Sequence, residues 1–145
     1  MTQNDGPSWH LSLVAIAAVL WYLAGAVDYT LTQYRVEPYL AQFSDTMVDY
    51  FTGLPPWVVA LSALSAWSGL LGGILLFFRR RFAVALLGLA ALAFCLLTVW
   101  LTVIADPGLA SATGRIGIYL ILGAAVVEVV FYLYARQARV AGAFD

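Results

Sequence analysis

The chain is 145 residues long, 63% hydrophobic and 10% charged, with a net charge of −1. A soluble domain carries about 25% charged residues, so a water-soluble globular fold is excluded, and the near-neutral balance gives no reason to expect nucleic acid as a partner. One cysteine (Cys95), one histidine (His10) and no lysine exclude, within this chain alone, cysteine-ligated iron–sulfur clusters, multi-ligand zinc sites, a bis-histidine haem and a lysine Schiff base.

Met1–Ser8 is polar and lacks the basic n-region of a secretory signal, so the first apolar run is expected to be a retained helix. Span 1 is predicted over about 9–33. Its apolar core is short for about 30 Å of hydrocarbon, but nothing in Asp28–Gln33 breaks a helix. Trp21, Gly25, Asp28 and Thr32 recur at helical spacing and share one face. Residues 38–52 read as an amphipathic segment. Leu40, Phe43, Met47, Tyr50 and Phe51 lie on its apolar side, with a break or cap near Ser44. Because the segment is acidic, it suits a lid over the bundle mouth better than an anchor on anionic lipid.

Gly53-Leu54-Pro55-Pro56 leads into span 2, predicted over 55–78, with Trp57 as an interfacial aromatic. Ser65, Gly69 and Gly73 form a small-x₃-small ladder that admits a close helix neighbour. Arg79-Arg80-Arg81 leaves room only for a tight turn before span 3, predicted over 82–105. Gly88, Ala91, Cys95, Thr98 and Thr102 make a small, weakly polar stripe there, expected to face span 2. Asp106-Pro107-Gly108 is a turn. Span 4 is predicted over 116–135, stopped by Arg136-Gln137-Ala138-Arg139.

The expectation is a single all-α domain over residues 1–145. It is polytopic, with four transmembrane helices in an antiparallel bundle and a short periplasmic amphipathic helix between spans 1 and 2. Five arginines (79, 80, 81, 136 and 139) lie on one side against two (35 and 115) on the other. That bias places both termini in the cytoplasm of a bacterial inner membrane.

Two carboxylates carry the candidate chemistry. Glu128 is the deepest ionisable group, about 10 Å from the predicted end of span 4. A carboxylate at that depth is costly unless protonated, solvated or paired. It reads as a proton or cation site with Tyr132 one turn on, or as a packing residue bonded to a Ser or Thr of span 2 or 3. Asp28, with Tyr29, Thr32 and Tyr22, would suit polyol or amine recognition at the outer mouth. Alternatively it pairs with Arg35, Arg115 or backbone N–H groups. If both carboxylates face inward, they are expected near opposite ends of the bundle. His10 reads as interfacial and Cys95 as a packing residue. No Ser-His-Asp set, phosphate loop or close carboxylate pair is present, so no catalytic residue, metal or cofactor is expected, bound lipid aside.

The run Asp28-Tyr29-x₂-Thr32-Gln33-x-Arg35-x-Glu37-x-Tyr39, then Tyr50-Phe51-x-Gly53-x-Pro55-x-Trp57 and Trp67-x-Gly69-x-Leu71-Gly72, resembles uncharacterised small four-span proteobacterial inner-membrane proteins. Some of them carry the label "sugar transporter". The resemblance spans about residues 21–81 and implies fold and location, not activity. A more distant likeness, in topology alone, is to DoxX-like membrane proteins. The first functional expectation is a non-enzymatic scaffold or accessory subunit, in contact with lipid and with other membrane subunits or a second copy. The alternative is an oligomeric small-solute or proton-coupled transporter using Asp28 and Glu128.

Overall fold

The computed structural model describes residues 9–144, so the polar tail Met1–Ser8 lies outside the described residues. Six helices follow one another: α1 Trp9–Gln33, α2 Glu37–Leu40, α3 Asp45–Thr52, α4 Pro56–Phe77, α5 Phe82–Val99 and α6 Leu109–Val140. A π-helical turn, Trp100–Ile104, extends α5. Among the described residues there is no strand. Helices α1, α4, α5 with its extension, and α6 are each long and apolar enough to cross a bilayer. The protein is an all-α, multi-pass integral membrane protein.

Local chemistry sets the helix limits. α1 runs through Asp28 and stops where Arg35 takes a positive φ of 51°. The Val36 N–H then reaches back to the Leu31 carbonyl at 3.0 Å, closing the terminus. Arg79 ends α4 in the same way, with a φ of 58° and Arg80 N–H on Leu75 O at 2.8 Å. Ser44 caps α3 by accepting from Met47 N–H at 3.3 Å. Pro56 opens α4 at a position where no N–H is needed.

The fourth span differs from the prediction at both ends. Its helix begins at Leu109, not near 116, with a kink at Gly114 (φ 71°, ψ −170°). Leu109 is buried against Val58, Leu97 and Leu101, and that contact holds the extra turn in place. At the other end the helix continues through Arg136–Arg139 to Val140. Arg, Gln and Ala are good helix formers, and the chain turns only at Gly142 (φ 77°).

α4 lies between α1 and α5, and α6 packs chiefly on α5. α1 and α6 therefore form the open edges of the bundle and touch only sparsely. They meet toward the triple-arginine end, where Tyr22 and Phe131 have ring centroids 6.1 Å apart and His10 Nδ1 and the Tyr134 hydroxyl hydrogen-bond at 2.7 Å. Most of the core is at that end: Leu11, Ala15, Ala18, Leu76, Leu87 and Ala135. A smaller cluster around Val58, Leu97, Leu101 and Leu109 closes the loop end. Trp57 and Trp100 stack edge to face beside it, 5.5 Å apart.

The small-residue ladder of α4 is occupied by α1. A Cβ on Gly69 would lie 2.1 Å from the Tyr22 ring, and one on Gly73 would lie 3.1 Å from Val19. The stripe on α5 faces α6 at Gly88, and not α4 as expected. A Cβ on Gly88 would meet Tyr132 of α6 at 3.0 Å, whereas Leu87 packs over Gly72 of α4. The Thr98 and Thr102 hydroxyls turn back to the carbonyls of Phe94 and Thr98 in their own helix. A helix with partners on two sides turns a different face to each.

Gly69→Ala should cost about 1–3 kcal/mol, because the fully buried Tyr22 ring has nowhere to move. Gly25→Ala, with nothing within 4 Å of the new methyl, should cost nothing and gain up to about 1 kcal/mol of helix propensity. Melting temperatures of the two variants in the same detergent check this; equal values would contradict the packing described.

Candidate functional site

The predicted face of α1 borders a cavity as a unit, with Trp21, Gly25 and Asp28 still exposed. Trp21, Gly25, Asp28 and Thr32 line one cavity of about 520 Å³, together with Tyr29 and Gln33. The opposite wall is Val59, Ser62, Ser65 and Ala66 of α4, with Phe94 and Leu97 of α5. Ile121 and Glu128 of α6 complete it. The roof is the segment between spans 1 and 2. Leu40, Phe43, Met47, Val48 and Phe51 turn their apolar sides into the space.

At the mouth, the Tyr39 hydroxyl donates to Asp28 Oδ1. The tyrosine ring is braced edge to face on Phe43, with centroids 5.3 Å apart. Asp28 thus binds the lid, not Arg35 or Arg115. Burial, then the hydrogen bond to Asp28 and its negative charge, push the Tyr39 hydroxyl up to about 12.

On the floor, Glu128 is only 3% exposed. The Ser65 hydroxyl donates to it across the bundle, 3.2 and 3.4 Å from the two carboxyl oxygens. Ser62 and Ser68, on the same helix, spend their hydroxyls on the carbonyls of Val58 and Leu64. Ser65 alone of the three reaches another helix. Trp21 and Tyr22 border the same carboxylate. The Tyr22 hydroxyl, buried beside it, makes no hydrogen bond of proper geometry among the described residues. Buried hydroxyls almost always have a partner, and the Glu128 carboxylate beside it is the acceptor within reach.

The two carboxylates therefore share one cavity and are not at opposite ends of the bundle. Glu128 lies level with Trp21 and Tyr22, about two turns or ~10 Å below Asp28 along α1. That level is close to the middle of both α1 and α4. The sequence reading placed Glu128 nearer the end of span 4 because it ended the helix at 135.

Asp28, Tyr29, Thr32 and Glu128 are brought together around this space. Tyr132 is not: one turn nearer the triple-arginine end, its ring covers Gly88 of α5. Ser65, read as a packing residue, is also the donor to Glu128. Tyr22, expected at the mouth with Asp28, is on the floor. Sequence reasoning missed Tyr39, Phe51 and Phe94 as parts of the site. The only available signal for Tyr39 was a second tyrosine just past the turn that follows Asp28.

No arginine or histidine is among the residues lining the cavity. Among the described residues no three His, Cys, Asp or Glu side chains gather as metal ligands. The space thus offers two acceptor carboxylates, a few hydroxyls, and walls that are largely aromatic or aliphatic. Compared with family models, with curated proteins and with solved structures, the chain finds no match.

Because the folded protein holds the Tyr39 proton to about pH 12 against an ordinary value of 10, the latch on Asp28 is complete below pH 10 and is lost as pH rises through about 12. The tyrosinate absorbance missing from Tyr39→Phe should titrate near that upper value in the wild type. In Asp28→Asn it should move toward 10 without reaching it, since burial, the larger cause, remains.

Proposed function

We propose that the protein is a small-solute carrier of the membrane, with a binding site that runs from Asp28 at the mouth to Glu128 on the floor. One observation carries this reading: the buried Glu128 and the exposed Asp28 at the mouth border a single cavity of about 520 Å³ with no basic side chain in its lining. Cavities of roughly 300–1,000 Å³ hold most small-molecule ligands. A carboxylate kept near the middle of a bundle without a cationic partner is costly, and such groups are usually retained for a pathway or a ligand.

The lid supports the same reading. The Tyr39–Asp28 bond ties the α2–α3 segment to α1 through the mouth carboxylate itself, so a solute that binds Asp28 competes with the lid. Below Glu128 the Tyr22–Phe131 contact narrows the space toward the triple-arginine end, so along the bundle axis the mouth at Asp28 is the open side. The arginine bias puts that open side outside the inner membrane and both termini in the cytoplasm. Neither a catalytic group nor a cofactor enters this reading.

The alternative, an accessory subunit of a larger complex, rests on the small extramembrane mass, the lack of a catalytic set and the ladder of Ser65, Gly69 and Gly73. The ladder no longer supports it: α1 already fills that ladder, which offers no face to another protein.

The test is melting of the protein in nanodiscs against small solutes of three kinds: cationic, neutral polyhydroxylated and anionic. At least one kind should raise the melting temperature, and Asp28→Asn combined with Glu128→Gln should abolish the shift. Saturation at one hundred times Kd corresponds to about 2.7 kcal/mol, well within reach of the measurement. If no solute of any kind stabilises the wild type, the carrier reading falls.

A further inference from the structure

Resting on the reading of this cavity as a solute site, we propose that its occupant is a lipophilic organic cation. Its charged centre is held by Glu128 on the floor, with Asp28 a second negative charge at the mouth, and its apolar body lies against the aromatic walls.

Charge eliminates the anions. Two carboxylates border the space and no basic side chain does, so an anionic solute would meet uncompensated repulsion in a medium that screens poorly. Geometry eliminates the hard metal ions. Calcium takes six or more oxygens and magnesium six, drawn close together, whereas the two carboxylates are about 10 Å apart and no third acidic or histidine ligand joins either.

The walls argue against a polyol. A sugar needs a partner for nearly every hydroxyl, and each one left against hydrocarbon loses its hydration without a hydrogen bond in return. The roof here is Leu40, Phe43, Val48 and Phe51, and the far wall is Phe94 and Leu97. The polar points are concentrated at two levels, Asp28 with Tyr29 and Thr32 above, and Glu128 with Ser65 and Tyr22 below.

What remains fits all three features. An organic cation has a large apolar body, which the walls bury, and a single charge, which a carboxylate neutralises. Aromatic faces attract such a charge further, the more so when it is desolvated. Trp21, whose indole borders Glu128, and Phe94 and Phe43, which line the same cavity, supply those faces. The Tyr22 hydroxyl, beside Glu128 on the floor, adds an oxygen whose lone pairs can turn to the cation or accept from an ammonium N–H. Glu128 is the deeper and drier of the two carboxylates, so it contributes more to binding than Asp28, which must first release Tyr39.

The probe is tetraphenylphosphonium, with tetraphenylborate as its isostere of opposite charge. Binding is measured by equilibrium dialysis on the full chain in nanodiscs, with empty nanodiscs subtracted. Tetraphenylphosphonium should bind saturably, one per cavity, and tetraphenylborate should not. Glu128→Gln, which keeps the shape and the Ser65 hydrogen bond, should weaken binding at least about tenfold, and Asp28→Asn less. Trp21→Ala should weaken it more than Trp21→Phe, which keeps an aromatic face and controls for folding. Equal binding of the two ions, or indifference to Glu128→Gln in a protein of unchanged melting temperature, overturns the proposal. If a polyol or an anion binds instead, and loses that binding in the Asp28→Asn/Glu128→Gln protein, the organic-cation assignment fails while the solute site stands. If nothing binds, both fall.

Discussion

The close approach of α1 to α4 over Gly69 governs the rest of the molecule. Without a side chain at that position, Tyr22 lies flat against the α4 backbone, fully buried. Its hydroxyl end then reaches the level of Ser65, where the Glu128 carboxylate of α6 arrives from the other edge. One missing Cβ thereby sets the depth of the floor, the neighbours of the buried carboxylate, and the point below which α1 and α6 close on Phe131. Inside a bilayer no hydrophobic force drives helices together, so such close contacts and a few cross-helix hydrogen bonds do much of the work of assembly.

Glu128 shows what that assembly tolerates. Removing a carboxyl group from water costs several kcal/mol unless the surroundings repay it, and here one serine hydroxyl serves both of its oxygens. A bundle selected for packing alone would carry a leucine or glutamine at this place at lower cost. The expense is local, because the core toward the triple-arginine end is dense with small and branched residues. The open space is confined to the half roofed by the α2–α3 segment.

That roof is held by few groups. α2 and α3 are short, and neither has a fully buried residue. The segment rests on apolar contacts with the cavity and on the hydrogen bond from Tyr39 to Asp28. Its local stability is therefore far below that of the spans, as expected of an element that must move for a site to fill. The same aspartate that anchors the roof is the first charge a solute would meet, so closing and binding draw on one group.

Much was legible in the residues themselves. Composition decided the membrane class, because 63% hydrophobic residues cannot be covered by water. Runs of apolar residues decided the spans. Helical spacing put Trp21, Gly25, Asp28 and Thr32 on one face, and the ladder of Ser65, Gly69 and Gly73 announced a close neighbour. Each of these properties is set within one helix by a fixed rise and rotation per residue, so periodicity reveals it. The identity of the neighbour was decided only in three dimensions. That α1 fills the ladder, that Gly88 takes Tyr132, that Glu128 meets Ser65 at mid-depth, and that Tyr39 folds back onto Asp28 all depend on the order and depth of helices around the bundle. No single helix encodes that order. It comes from which small residues admit which large ones across sequence separations of up to 124 residues, as between His10 and Tyr134, and so the site belongs to the tertiary structure even though its carboxylates were visible in the chain.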